Sequence, residues 1–386
     1  MKNKPFLRNP ELGALAIGCC LALISQTTLR FFHKSIGPGE VGLGVIACVA
    51  VFRILMTGSL FRGADSGWLV SFFGFVIVIL MPVTVVNVIC DTPGASVRDL
   101  LAYLLCALCT LYWLHDDKFF DIARYFVFFL MAIISAQYFF GGDAVYYSYR
   151  FAAGARNPNQ LALYMMCALL IIALLDRSLS WKVLFSLPLL YFGLLSFSDA
   201  FFLATASSAV VYIVFRLGMT KAAFLFPFFG VFCIVMIVYL PHVVGFLADE
   251  WRSADQGFIR LTLFENGMIA YVDTPFSIIF GHGAGYFSGR EIPFGRFEAH
   301  NTVIDMLTVG GIVGLFLVYG PIMYVAWNFY KIKKYYIVSL IAGLMIYSLF
   351  HFVARHPVFW FSVVAMVMSC SNYCARFSSE SKCSWP

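Results

Sequence analysis

Residues 298–314 read Glu-Ala-His-Asn-Thr-Val-Ile-Asp-Met-Leu-Thr-Val-Gly-Gly-Ile-Val-Gly, and they join a long polar segment to an apolar one. Taken as a helix, this stretch carries Asn301, Asp305 and Thr308 on one side of an otherwise apolar rod. An ionisable residue inside a hydrophobic span is costly, so we expect Asp305 to face protein or a wet cavity and not lipid. His300 would then lie at the mouth of that cavity.

The composition predicts a polytopic membrane protein. Of the 386 residues, 61% are apolar and only 12% are charged, whereas soluble globular proteins carry about 25% charged residues. The apolar runs have the length that a helix needs to cross a bilayer, and they lack the alternating pattern of a membrane barrel. No cleavable signal is evident in the short basic stretch 1–11. Within the last third of the chain, Gly310 and Gly314 leave a flat face for a close neighbour.

We therefore expect an all-α fold in which residues 1–386 form a single integral membrane domain with about twelve transmembrane helices. The predicted spans are centred near residues 21, 47, 78, 106, 131, 168, 189, 208, 233, 314, 344 and 365. A long periplasmic loop, residues 247–299, separates the last three spans from the others. Within that loop, the apolar spacing over 256–271 is typical of an amphipathic helix lying on the membrane surface.

The charge pattern predicts an orientation. With the N-terminus placed in the cytoplasm, sixteen Lys and Arg residues lie inside and ten outside, as the positive-inside rule requires. Nine of the ten lysines fall inside, but nine of the sixteen arginines fall outside. The net charge of +6 is spread over short loops, which argues against a nucleic-acid partner. The outer arginines are Arg30, Arg98, Arg150, Arg156, Arg252, Arg260, Arg290, Arg296 and Arg355.

An excess of arginine over lysine at one face points to an anionic ligand there. The planar guanidinium group binds phosphate oxygens in a bidentate manner, which a lysine cannot do. The simpler alternative is that arginines at span ends reach for the interface, and we adopt it for Arg30 and Arg98.

The loop before the sixth span is the first candidate site. It places Arg150, Arg156, Asn157 and Asn159 within ten residues. Asn159 can cap the helix that starts near Leu161, after the turn made by its neighbouring proline. A capped span with an interfacial tyrosine belt would account for everything here except the arginine beside two amides.

Cysteines and glycines give no sign of a metal or a nucleotide. Most of the eleven cysteines lie in apolar runs, where cysteine behaves as a small hydrophobe. The Cys106-x-x-Cys109 pair lacks the second pair or the histidines of a zinc site. The glycine-rich turn 281–285 is not built like a P-loop. We predict neither a metal site nor a cofactor.

Four elements of the chain resemble motifs of the superfamily of O-antigen ligases and Wzy-type O-antigen or exopolysaccharide polymerases. The pattern His-Asn, nine residues, Gly-x-x-Gly is the most specific of them, and the resemblance covers roughly residues 150–320. The four elements are Arg156-Asn-Pro-Asn-Gln-Leu-Ala, Gly-x-x-Arg260, Gly281-x-Gly283-x-Gly285-x-Phe287, and Ala-His300-Asn301 followed by Gly311-x-x-Gly314.

The resemblance implies a metal-independent, inverting transfer of an undecaprenyl-diphosphate-linked glycan at the periplasmic face of a bacterial plasma membrane. It implies that the lipid-linked oligosaccharide and membrane lipid are partners, together with chain-length regulator and flippase proteins. Family members often carry Ser-Arg-Gly or Ser-Arg-Ala where this chain has Ser198-Asp199-Ala200. Since that arginine is thought to help hold the donor diphosphate, either Arg150 or Arg156 substitutes for it here or the donor binds differently.

The residues agree with that chemistry. A diphosphate leaving group needs a metal or fixed cations, and the acceptor hydroxyl needs a base that titrates near neutral pH. We predict His300 and Arg260 as catalytic residues, with Glu298 or Asp305 as candidates to orient the histidine. The predicted substrate-binding residues are Arg150, Arg156, Asn157, Asn159, Asn301 and Asp305.

Other functions remain open on the sequence. A polymerase that joins lipid-linked repeat units is the leading hypothesis, and a ligase that moves the finished glycan onto a lipid A core is the nearest alternative. A transporter or lipid flippase would use Asp305 as an ion or proton site, but transporters usually show broken helices in paired repeats, and no second half repeats the first here. A scaffold without activity would leave the outer arginines unexplained.

Overall fold

The structure is a computed structural model that describes residues 10–26, 37–57, 67–90, 96–114, 116–147, 149–155, 157–217, 255–286 and 299–378. Most of these residues are helical. One short antiparallel pair, β1 (Tyr146–Tyr147) with β2 (Arg150–Phe151), interrupts them. The helices are α1 (Pro10–Leu23), α2 (Pro38–Thr57), α3 (Gly67–Phe75), α4 (Met81–Ile89), α5 (Val97–Leu114), α6 (Phe119–Phe140), α7 (Pro158–Leu174), α8 (Leu179–Leu195), α9 (Asp199–Leu217), α10 (Asp255–Tyr271), α11 (Pro275–Phe280), α12 (Thr302–Lys331), α13 (Tyr335–Ser348) and α14 (Pro357–Ser378).

Apolar helices of membrane-spanning character dominate the described residues, in agreement with the predicted all-α membrane fold. The predicted span near residue 233 lies outside the described residues, so the count of twelve stays a prediction. Within the described ranges, five helices are long and apolar enough to cross a membrane: Gly67–Ile89, Val97–Leu114, Phe119–Phe140, Asp199–Leu217 and Thr302–Lys331. Six shorter apolar helices accompany them: Leu12–Leu23, Pro38–Phe52, Pro158–Leu174, Leu179–Leu195, Tyr335–Ser348 and Pro357–Tyr373.

Helix α7 is the centre of the bundle. Almost all of its side chains are buried, as expected of a helix that is hydrophobic on every side. It packs against α6, α8, α9, α13 and α14. The loop that carries Arg150 and Asn157 therefore leads directly into the most buried helix of the protein.

The flat glycine face predicted on α12 packs against a neighbouring helix. A Cβ atom added at Gly310 would lie 2.8 Å from the ring of Phe75, and one added at Gly314 would lie 3.2 Å from the same ring. Phe75 ends α3, and a π-helical segment, Val76–Leu80, connects α3 to α4 in one continuous rod. Small residues thus allow the two spans to approach closely.

The amphipathic segment predicted over 256–271 is helix α10. Leu263 and Ala270 are buried, whereas Phe264 and Ile269 are 42% and 54% exposed. Since one face packs on the protein and the other presents apolar side chains, this helix suits the boundary of a membrane. Its position on a membrane surface stays a prediction, as does the periplasmic location of residues 247–299.

The two ends of the bundle differ in their basic residues. We call one the arginine end, defined by Arg98, Arg150 and Arg355, and the other the lysine end. Successive spans run in opposite directions, so their connecting loops fall alternately at the two ends. The contacts described below show which loops share the arginine end. The lysine end carries the five lysines with described side chains: Lys118, Lys182, Lys331, Lys333 and Lys334.

Candidate functional site at the arginine end

A tight turn at residues 299–301 presents His300 to the outside. His300 is exposed and has a φ of 52°, a left-handed conformation that is uncommon for a residue other than glycine. Asn301 caps the following helix: its side-chain oxygen accepts hydrogen bonds from the N–H groups of Val303 at 2.9 Å and Ile304 at 3.2 Å. The helix therefore begins at Thr302, and His300 lies in the turn and not on the helix as the sequence analysis assumed.

Asp305 faces protein, as predicted, and it holds this turn. It is 1% exposed. Its Oδ1 accepts the main-chain N–H of Ala299 at 3.0 Å, and its Oδ2 accepts that of Asn301 at 3.2 Å. The carboxylate thus grips both residues that flank His300. These contacts engage the oxygen atoms of Asp305 and Asn301 with main chain, and the predicted contact of either residue with substrate stays a prediction.

Thr308 completes the polar side of α12 one turn further on. Its hydroxyl group lies 3.3 Å from the carbonyl oxygen of Gly267 and 3.0 Å from that of Ile304. Gly267 belongs to α10, so the helix that carries Arg260 packs against the first turns of α12. Arg260 lies within the bounds of α10, but its side chain is not among the described ones, and Arg156 lies outside the described residues.

Arg150 is held by two segments at the same end of the bundle. Its Nε donates to the carbonyl oxygen of Ser196 at 3.0 Å, and its Nη2 donates to the side-chain oxygen of Asn159 at 2.7 Å. The guanidinium plane is therefore fixed by a residue in the first turn of α7 and by the residue that follows α8. A lysine could not make both contacts in this geometry.

The cap of α7 is Asn157, not Asn159 as the sequence analysis proposed. The side-chain oxygen of Asn157 accepts the N–H of Asn159 at 2.9 Å, and the helix begins at Pro158. Proline is favoured as the first helical residue because it has no N–H group to leave unsatisfied. The cap consequently falls on the residue before it, which leaves the Asn159 side chain available to Arg150.

The segment 347–353 connects the two halves of the site. The hydroxyl of Thr302 donates to the carbonyl oxygen of His351 at 2.5 Å and accepts the N–H of Val353 at 3.0 Å. The His351 ring lies 5.0 Å from the ring of Tyr347. Tyr347 in turn donates its hydroxyl hydrogen to the carbonyl oxygen of Asn159. A continuous series of contacts thus runs from the His300 turn to Arg150.

Sequence reasoning missed the place of His351. No sequence motif assigns a role to this histidine, yet the structure sets it beside the first residue of α12. No local pattern signals the contact, because it joins residues 49 positions apart. His351 is a half-buried histidine that this end of the bundle brings near the His300 turn.

Arg355 is anchored and does not stand free beside the site. Its guanidinium lies 3.1 Å from the carboxylate of Asp99, whose side chain is 6% exposed. It also lies over the ring of Phe352, 5.3 Å from the centroid. Arg98 reaches the same carboxylate at 3.3 Å but keeps 70% of its side chain exposed. The ion pair between Arg355 and Asp99 therefore ties the loop that contains His351 to α5.

The glycine motif at 281–285 supports a break in α12. Gly311 has a φ of 61° and a ψ of −162°, which interrupts the helix. The carbonyl oxygens of Thr308 and Val309, left free by the break, accept the N–H groups of His282 at 2.8 Å and Gly283 at 3.0 Å. Irregular backbone at membrane depth is tolerated only when its polar groups are satisfied in this way.

The described residues also line an open pocket at the opposite, lysine end, with a volume of about 210 Å³. Its charged lining has both signs, and Asp121 is already paired with Arg124 at 3.2 Å. Because it lies across the bundle from His300 and Arg150, this pocket is separate from the candidate site.

Comparison with known proteins assigns no family. No protein-family model matches the chain, and no curated protein matches it significantly.

Proposed function

We propose that the protein is a membrane glycosyltransferase that polymerises undecaprenyl-diphosphate-linked glycan repeat units at the periplasmic face of a bacterial inner membrane. The donor is the growing lipid-linked glycan, and the acceptor is a lipid-linked repeat unit. Chain-length regulator and flippase proteins are the expected partners. The resemblance described above supplies this class of reaction.

The observation that carries the proposal is the series of contacts from the His300 turn to Arg150. These elements are distant in sequence, yet Thr302, the segment 347–353 and Asn159 join them at one end of the bundle. A base that titrates near neutral pH and a fixed guanidinium group are what a transfer from a diphosphate requires. A scaffold protein would need neither.

The proposed reaction uses these groups as follows. The acceptor hydroxyl oxygen attacks the anomeric carbon of the donor sugar, the bond from that carbon to the diphosphate oxygen breaks, and undecaprenyl diphosphate leaves. His300 takes the proton of the attacking hydroxyl. Arg150, together with Arg156 and Arg260, stabilises the negative charge that develops on the leaving diphosphate. Asn157 and Asn159 hold the loop that presents this charge.

Two alternatives stay open. A ligase that transfers the glycan to a lipid A core would use the same groups with a different acceptor. A transporter or lipid flippase is favoured by one observation, the break at Gly311 beside the π-helical segment Val76–Leu80, since broken spans are common in transporters. The surfaces of the break are occupied by the loop 281–285, which argues against an ion site there.

The test compares His300→Ala with the wild-type protein in a strain that lacks the gene and in a purified assay with a lipid-linked donor. We expect normal abundance in the membrane and a loss of chain extension of about 10²- to 10⁴-fold, the usual effect of removing a general base. His356→Ala is the matched control, because that histidine lies in the anchored loop with Arg355. A full polysaccharide ladder from His300→Ala would reject His300 as the base.

The deletion strain separates the alternatives. Lipopolysaccharide capped with a single repeat unit indicates a missing polymerase, whereas long lipid-linked chains indicate a missing ligase. If the single lipid-linked repeat unit accumulates on the cytoplasmic side, and neither capped lipopolysaccharide nor long lipid-linked chains form, the missing protein is a flippase. That result would contradict the proposal.

A further inference from the structure

The turn around His300 needs an external support. Its left-handed backbone is strained for a side chain with a Cβ atom, and a strained conformation persists only where surrounding contacts require it. The cap by the Asn301 side chain fixes the helix start but does not engage the N–H groups of Ala299 and Asn301. Both of these N–H groups point to the carboxylate of Asp305.

We propose that Asp305 is the positioning residue of His300, acting through the main chain on both sides of it. This inference rests on the proposed function, because it assumes that the orientation of His300 matters for the transfer. In place of the predicted role in substrate binding, Asp305 orients His300 and does not itself touch the substrate.

The burial of the carboxylate gives this arrangement its rigidity. Asp305 is 1% exposed, and Ala299 is 5% exposed, so water competes little for either hydrogen bond. Hydrogen bonds to a charged acceptor are also stronger than those between neutral groups. Asp305 lies in the first turn of α12, where the helix dipole favours a negative charge. The main-chain N–H of Asp305 closes the turn from the other side by donating to the carbonyl oxygen of Asn301 at 2.8 Å.

Thr308, the next polar side chain on the same face of α12, contacts other residues. Thr308 contacts the carbonyl oxygens of Gly267 and Ile304, and no described contact joins it to residues 299–301. Thr308 and Asp305 are therefore a matched pair: both are buried, polar and on the same face of α12, but only Asp305 holds the His300 turn.

The substitution Asp305→Asn separates positioning from general stability. Asparagine keeps the shape of the side chain but has one acceptor oxygen, and its NH₂ group would face a main-chain N–H group. One of the two hydrogen bonds is lost, and we expect His300 to leave its orientation. The first readout needs no activity: purified full-length protein is modified with diethylpyrocarbonate, and the rate at His300 is followed by mass spectrometry. We expect a changed rate in Asp305→Asn and the wild-type rate in Thr308→Val.

The second readout is kinetic. We expect kcat of Asp305→Asn to fall about 10- to 100-fold, the usual effect of misplacing a reacting group or losing its supporting shell, with KM for the donor unchanged. In a His300→Ala background the same substitution should cost no more, since the residue through which it acts is already absent. A purely structural role would instead lower both parameters and add to the loss of His300.

The outcomes separate this inference from the proposed function. If His300→Ala is inactive while Asp305→Asn keeps the wild-type kcat and labelling rate, the positioning role is rejected and the function stands. If His300→Ala stays active while labelling changes in Asp305→Asn, the function is rejected and the structural relation stands. Should Asp305→Asn fail to fold, Asp305→Glu, which keeps the charge but displaces it, must show the changed labelling rate, and a wild-type rate there overturns the proposal.

Discussion

The hydroxyl group of Thr302 donates a hydrogen bond to the carbonyl oxygen of His351 at 2.5 Å. The hydroxyl oxygen of Thr302 also accepts the N–H of Val353 at 3.0 Å, and Thr302 is completely buried. One threonine therefore ties the first residue of α12 to the last loop at the arginine end. The relative placement of the His300 turn and the Arg150 loop depends on this contact.

Replacing Thr302 by valine should destabilise the protein and impair its activity. Valine has the same shape but removes the partner of the buried N–H of Val353 and of the half-buried carbonyl of His351, which costs about 1–3 kcal/mol for each buried group that stays unsatisfied. Thr205→Val is the control, since the Thr205 hydroxyl bonds only to carbonyls of its own helix. Thermal unfolding of the detergent-solubilised proteins measures the difference, and equal midpoints for the two variants would contradict the role of Thr302.

The break in α12 gives a second prediction. A Cβ atom at Gly311 would lie 2.3 Å from the main chain of Ile279, and the φ of this residue is 61°. Gly311→Ala should therefore be strongly destabilising, because neither backbone can move away and overpacking alone costs about 1–3 kcal/mol. Gly44→Ala is the control, because no atom of a neighbouring element lies within 4 Å of the added carbon. We expect loss of folded protein only for Gly311→Ala, and similar yields of the two variants would refute this account.

The sequence predicts the helices and the direction of Asp305 because both follow from one large free-energy cost, that of exposing polar groups to the lipid core. Long apolar runs favour membrane-spanning helices, and a carboxylate in such a run must face protein. The close approach at Gly310 follows from the same kind of reasoning. These features need no knowledge of which helices are neighbours.

The site could not be predicted to the same depth, because it depends on contacts between distant segments. The sequence around Gly311 is compatible with a continuous helix. The break becomes evident only in the structure, where the N–H groups of His282 and Gly283 bind the carbonyl oxygens that the break leaves free. The choice of Asn157 over Asn159 as the cap follows from Pro158 and could have been made from the sequence. The place of His351 carries no local signal at all.

The orientation of the two ends is a third prediction. The described lysines gather at one end, and positive residues are retained in the cytoplasm, so we expect the arginine end to face the periplasm. Single cysteines placed at Asp143 and Lys333 in a cysteine-free background should be labelled from opposite sides of the membrane, Asp143 from outside. Labelling of Asp143 from the cytoplasm would reverse the orientation and reject a periplasmic reaction.

The last prediction concerns the guanidinium group of Arg150. Its Nε and Nη2 contacts, to the carbonyl of Ser196 and the side chain of Asn159, fix the plane of the fork at the arginine end. If this fork binds the donor diphosphate, Arg150→Lys should weaken donor binding even though the charge is kept, because an ammonium group cannot reproduce a planar, bidentate contact. A diffuse positive rim would tolerate the change.

Arg98→Lys is the matched control, since Arg98 lies at the same end and is 70% exposed with Asp99 as its partner. Removing one charge-assisted contact costs about 1.5–3 kcal/mol, so the apparent donor affinity of Arg150→Lys should fall by about one to two orders of magnitude at 1.4 kcal/mol per tenfold change. The affinity of Arg98→Lys should stay within about twofold, because an exposed ion pair contributes little. Titration of the purified variants with the lipid-linked donor measures both. Equal affinities would show that charge alone attracts the donor, and a built clamp around Arg150 would then have no support.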